Sequence, residues 1–269
     1  MGRYIKYEIK GSYKFILGVL SLVLILTTGI YTYVDAGKEG SAFFSALMGI
    51  STLVIFGTGL TTFLYIVGSF RKELYEDRGY LTFALPLTGN QILGAKLIVA
   101  IIWFVLLGFI IGSYNIFMIT RFAPVELNFS EVFSVIDRGV VLTLIMAFIS
   151  GVNTLILIYF SMALSRVTFR NKKIGGFWFV IFLALSGIIA YGQVKISMVL
   201  PYYLDFNTFK IGSVDTLNYH FNININEGLF ITGNMEHNLL NIAGFLYSLI
   251  MGVLTFLGTG YIIENKIDL

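Results

Sequence analysis

Six apolar runs constrain this chain more than anything else in it, at residues 15–34, 43–67, 97–119, 140–164, 174–194 and 239–263. At about 1.5 Å per residue, each is long enough to cross a hydrocarbon core about 30 Å thick as a helix. Lipid offers the backbone no hydrogen-bonding partner, so each run must satisfy its own amides, and a helix does so. The expected fold class is therefore an all-α integral membrane protein with six transmembrane helices. Composition agrees: 57% of the residues are hydrophobic and 12% charged, where soluble domains carry about 25% charged residues. The absence of cysteine excludes disulfides and thiolate metal sites.

Six spans place both termini on one side. Of the 18 lysines and arginines, thirteen fall on that side: Arg3, Lys6, Lys10, Lys14, Arg71, Lys72, Arg78, Lys96, Arg166, Arg170, Lys172, Lys173 and Lys266. Lys38, Arg121, Arg138, Lys195 and Lys210 fall opposite. By the positive-inside rule the terminal side is cytosolic. The first apolar run follows a basic stretch, as in a signal peptide, but it is long and no small-residue cleavage pattern follows, so it reads as a retained span.

Before that run, residues 1–14 set Ile5, Ile9 and Tyr13 on one helical face, continued by Ile16, and Lys6, Lys10 and Lys14 on an adjoining one. This pattern predicts an N-terminal interfacial helix whose lysines meet anionic headgroups of membrane lipids. Residues 15–194 hold five spans with a cytosolic loop at 70–96, residues 195–238 form an extracellular loop, and 239–263 is the sixth span, all within a single domain. In the long loop Phe221, Ile223 and Ile225 alternate with Asn222, Asn224 and Asn226, which predicts a strand paired in a hairpin with residues 228–231. Residues 198–204 are too apolar for open solvent and are expected to return to the membrane surface. Asn128-Phe129-Ser130 matches a glycosylation acceptor by chance spacing, with no other secretory signal.

Residues 71–96, RKELYEDRGYLTFALPLTGNQILGAK, bear the most charge between two apolar runs. Arg71 to Arg78 are good helix formers, and Gly79 stands where a left-handed C-cap would end a helix of two turns. Pro86 breaks the next stretch, and Thr88 and Gln91 have capping-box spacing before the third apolar run. The segment therefore reads as a helix, a sharp turn and a second helix, a compact knuckle on the cytosolic side. Gly89 to Lys96 resembles a phosphate-binding loop, but Ala95 stands where the lysine is required and no strand precedes it, which excludes nucleotide binding there.

The spans contain no acidic or basic side chain, against what proton relays and ion-coupled transporters require. His220 and His237 lie in the outer loop, and no zinc-protease, serine-hydrolase or cysteine-nucleophile motif occurs. The chain is not expected to be an enzyme. Asn115 and Asn153 lie within the third and fourth spans; such amides usually bond between helices and less often line a substrate path.

An amphipathic start, six spans with both ends inside, the Glu-Leu-Tyr-Glu-Asp-Arg-Gly-Tyr turn and the Leu-Pro-Leu-Thr-Gly-Asn-Gln-Ile-Leu-Gly-Ala-Lys entry into the third span together resemble the permease subunits of type-2 ABC transporters. The likeness covers the topology of the whole chain, and its motif spans residues 71–96. It implies that Glu73, Tyr75, Glu76, Asp77, Arg78 and Gly79 form a coupling helix that fits a groove in a separate cytosolic ABC ATPase subunit. It further implies a dimer with a second copy or a homologous permease, and an extracellular re-entrant region before the last span. ATP and magnesium would be bound by the ATPase, leaving this chain no cofactor, and no nucleic-acid partner is expected. Bacterial exporters of antimicrobial or cytolytic peptides are similar, which by analogy suggests export of peptides or other amphipathic compounds. A reading from another class is a membrane-anchored assembly or sensory partner without transport.

The charge distribution fixes an expected topology. Single cysteines at Lys72, Lys172 and Asn265 should resist an impermeant thiol reagent added to intact cells, and one at Asn222 should react. Labelling at Lys72 from outside reverses the orientation.

Overall fold

The computed structural model describes residues 1–35, 41–76, 79, 82, 85–122, 138–168, 176–206, 209–213, 221–224, 230–233 and 239–266. Among them six helices are long and apolar enough to cross a membrane: α1 (Gly2–Asp35), α2 (Ser41–Tyr75), α3 (Gly89–Phe122), α4 (Arg138–Thr168), α5 (Phe177–Val199) and α6 (Ile242–Asn265). The chain is a helical multi-pass membrane protein. It falls into two compact units, residues 1–135 with 263–269, and residues 136–262.

In the first unit α1 packs most extensively on α3. Tyr4, Ser12, Ile16, Leu20, Val23, Thr27 and Tyr31 are buried along one seam of α1, at the steps of three, four or eight that keep one helical face turned inward. Opposite, Val99, Trp103, Leu107 and Ile111 recur every four residues on α3 and close the core with Ile16, Leu20 and Val23. The two helices run in the same direction, because Ser12 meets Trp103 and Thr28 meets Tyr114. The buried Trp103 indole donates to Ser12 Oγ at 2.9 Å, supplying the partner its N–H needs away from water. On another face of α1, Phe15 stacks on Tyr65 of α2 with ring centroids 4.2 Å apart.

The separate interfacial helix expected over residues 1–14 is not a separate element. Residues 2–35 form one uninterrupted helix through the junction at Lys14 and Phe15, since no proline interrupts the backbone ladder and the buried seam runs through the change in composition. Lys6, Lys10 and Lys14 are all exposed, so the lysine stripe is kept.

α2 ends at Tyr75, and the chain bends at Glu76. Gly79 is buried and helical, and its N–H donates to the Glu76 carbonyl at 3.1 Å. The expected left-handed cap at Gly79 is thus corrected: the helix breaks three residues earlier, and Gly79 belongs to a new turn. The expected start of α3 is present. Thr88 N–H donates to Gln91 Oε1 at 3.2 Å and Gln91 N–H to Thr88 Oγ1 at 3.3 Å, the reciprocal bonding of a capping box. Gly89 N–H also donates to Glu264 Oε2 at 3.3 Å, setting a carboxylate at the positive end of the helix.

In the second unit α4 packs along α5. β3 (Phe221–Asn224) pairs antiparallel with β4 (Phe230–Gly233), Ile223 opposite Ile231. The apolar stretch 198–204 ends α5 and enters β1 (Tyr203–Asp205), the middle strand between β2 (Ile211–Gly212) and β5 (Leu239–Asn241). The last apolar run accordingly begins as a strand. Asn241 switches it to helix, its Oδ1 accepting from Gly244 N–H at 2.7 Å as an N-cap. Lys38, Asn128, His220 and His237 lie outside the described residues.

Asn153 of α4 donates to the Ser248 carbonyl of α6 at 3.5 Å, and a methyl group at Gly252 would collide with its Oδ1. In an open helix Gly→Ala stabilises by about 1 kcal/mol. Here the sign should reverse: Gly252→Ala should destabilise by about 1–3 kcal/mol through overpacking, whereas Gly29→Ala, which meets open space, should not. Unfolding of the two variants in mixed micelles measures the difference, and equal effects refute the close packing.

Candidate functional site

The ends of α1, α2 and α3 nearest the knuckle meet around one buried ammonium. Lys96 stands in the second turn of α3 with its side chain 3% exposed, and its Nζ lies 2.9 Å from Glu73 Oε1 of α2 and 3.2 Å from Glu8 Oε2 of α1. Tyr4, one turn before Glu8, donates its hydroxyl to Glu73 Oε2 at 3.3 Å. Tyr4 and Glu8 share a face because they are four residues apart on a helix. Tyr4 also packs with Ile92 and Ala95, flanked by Ile5 and Leu87, so the first turn of α1 lies against the start of α3.

Taking these charges out of water costs several kcal/mol per ion, which close pairing must repay. Both carboxylates are nearly covered, at 13% and 12% exposed, and both reach the ammonium. With one positive and two negative groups the cluster has a formal excess of one negative charge. Beside it, α1, the end of α2, Thr82 and residues 85–87 line a cleft of about 1070 Å³ onto which Glu8 and Glu73 open, with Arg3, Tyr7 and Lys10 also on its wall.

The residues expected to couple divide accordingly. Glu73 is engaged within the chain by Lys96 and Tyr4, Tyr75 is half-buried, Gly79 is buried, and Glu76 is exposed at the bend. Asp77 and Arg78 lie outside the described residues. Asn115 donates to Ile111 O of its own helix at 2.8 Å, and Asn153 bonds across to α6; the two belong to different units.

Sequence reasoning missed Lys96, Glu8 and Tyr4. A signal was present: Glu8 is the only acid before Asp35, and Lys96 opens an apolar run between Ala95 and Leu97. An unmatched charge of each sign at the same end of two spans predicts a pair. Comparison with known protein families, characterised proteins and solved structures returns no match.

Lys96→Met leaves two buried carboxylates without their cation and should destabilise the protein by about 3–5 kcal/mol. Adding Glu8→Gln and Glu73→Gln to Lys96→Met should recover much of that loss, because the uncompensated charge is gone. Chemical unfolding of both variants measures this. Additive losses contradict an electrostatic origin.

Proposed function

We propose that this chain is the membrane subunit of an ATP-driven exporter of the type-2 ABC kind, acting as a pair with a second copy or a homologous subunit. A separate cytosolic ATPase docks at the knuckle between α2 and α3 and supplies the ATP chemistry. The observation that carries this reading is the knuckle's construction: a bend that exposes Glu76, set on a base fixed by the Thr88–Gln91 capping box and by the Lys96 ion pairs. A charged bend anchored between two spans suits transmission of a partner's movement into the bilayer.

In this reading both termini are cytosolic, the exposed lysines of α1 lie among lipid headgroups, and the strands of residues 203–241 stand outside the cell. The substrate class is an amphipathic peptide or similar compound, by the resemblance of the knuckle to peptide exporters. Glu76, Asp77 and Arg78 make the contact with the ATPase. Glu73 acts one step back, holding α2 to α3 and α1.

Truncating one member of a buried, hydrogen-bonded interfacial charge pair costs about 2–5 kcal/mol. Glu76→Ala and Arg78→Ala should therefore weaken ATPase co-purification and lower substrate-stimulated hydrolysis, and Lys38→Ala should do neither. Full ATPase retention and coupling in both knuckle variants rejects the docking role.

A further inference from the structure

The cleft beside the ion cluster has an ordered wall. On α1, Arg3 and Lys10 are seven residues apart and so nearly in line, and Glu8 lies about 140–160° around the helix from them, toward α2 and α3. Tyr4 and Tyr7 fall between. The wall thus grades from a cationic rim, through tyrosines, to a carboxylate floor at Glu8 and Glu73. Both rim residues are exposed, and no ion pair engages either among the described residues. The floor already demonstrates its chemistry, because the same two carboxylates hold the Lys96 ammonium from the α3 side at 2.9 and 3.2 Å. A further cation arriving from the cleft meets the same two groups from their open side.

A ligand that fits bears an ammonium at one end and an anion a short distance behind it. The cleft lies immediately before the first apolar run, at headgroup depth for a helix that crosses the bilayer. Above it an exposed apolar stripe, Phe15, Leu22 and Leu26, continues up the same side of α1 and gives acyl chains a path. Tyrosines at this depth suit an interface.

We propose that this cleft binds the headgroup of an aminophospholipid, its ammonium on Glu8 and Glu73 and its phosphate on Arg3 and Lys10. The site is independent of the transport reading, since it needs neither ATPase nor substrate. Such a lipid tethers α1 to α2 at the knuckle end and makes the stability of this end depend on membrane composition.

The full-length protein, reconstituted in bilayers of equal phosphatidylethanolamine, phosphatidylcholine and phosphatidylglycerol, is extracted in mild detergent, and its retained lipids are counted by native mass spectrometry. Phosphatidylethanolamine should be enriched at least threefold over each of the others. Arg3→Gln with Lys10→Gln should abolish the enrichment and leave the unfolding midpoint in lipid-free detergent unchanged, because neither side chain supports the fold. Lys6→Gln with Lys14→Gln, outside the cleft, should keep it. Retained lipid that mirrors the bilayer, or enrichment of phosphatidylglycerol alone, overturns the proposal. So does soluble glycerophosphoethanolamine bound as tightly as the lipid, which removes the membrane as the source.

Discussion

A lysine ammonium taken out of water must be matched, and in this protein the match comes from three helices at once. Lys96 belongs to α3, Glu73 to α2 and Glu8 to α1, so α3 cannot leave the other two at this end without stranding buried charges. The penalty for stranding one is about 3–5 kcal/mol, a large part of the marginal stability of any fold. Farther along, apolar packing of α1 on α3 takes over, with sparse polar contacts at Ser12 and Thr28. In lipid, where apolar burial between helices gains little, such contacts and close packing set register. The charged end supplies both strength and direction.

Much of this architecture was legible in the sequence. Helices were readable because run length against bilayer thickness leaves no other solution, and the start of α3 because Thr88 and Gln91 have one reciprocal way to bond. The strand at Phe221–Asn224 was readable because a period of two has no helical interpretation. Less legible were features set by what the residue touches. Positive-inside counting treats every lysine alike, and so it placed Lys96 among solvated topology markers although it is buried. Glu73, expected at the coupling surface, likewise carries intrachain bonds to Lys96 and Tyr4 that its position in the sequence does not announce. Gly79 has the composition of a cap, yet it is buried and helical, with its N–H bonded to Glu76 O. The stretch before Phe15 changes polarity without changing backbone, and the hydrogen-bond ladder of α1 takes no account of polarity.

The second unit makes a complementary point about amides and glycines. Asn153 was ambiguous between a helix-to-helix bond and a substrate path. It bonds to α6, and Gly252 provides the room for it. A glycine and an amide that occupy each other's space form a single packing device spread over two helices, and neither half is informative alone. Asn241 is a similar case: it ends β5, caps α6 and also donates to Leu200 O at 3.1 Å, so one side chain converts strand to helix and ties the end of α5 to that corner.

For an exporter of the proposed kind, these constraints decide how a push at the knuckle would travel. Glu76 lies three residues beyond Glu73, close to one helical turn, with its N–H still bonded to Lys72 O at 2.9 Å. Displacement of Glu76 would therefore be felt at Glu73 before any long lever moves. From Glu73 it divides, through Lys96 to α3 and through Tyr4 and the shared ammonium to α1. Two carboxylates on one ammonium form a joint that shifts as a unit, because separating any member costs more than moving all three. The capping box holds the far side of the knuckle, so the bend cannot relieve the strain by unwinding α3. In that arrangement α1, α2 and α3 respond to the ATPase as one body, and the compliant part of the machine must lie elsewhere in the chain.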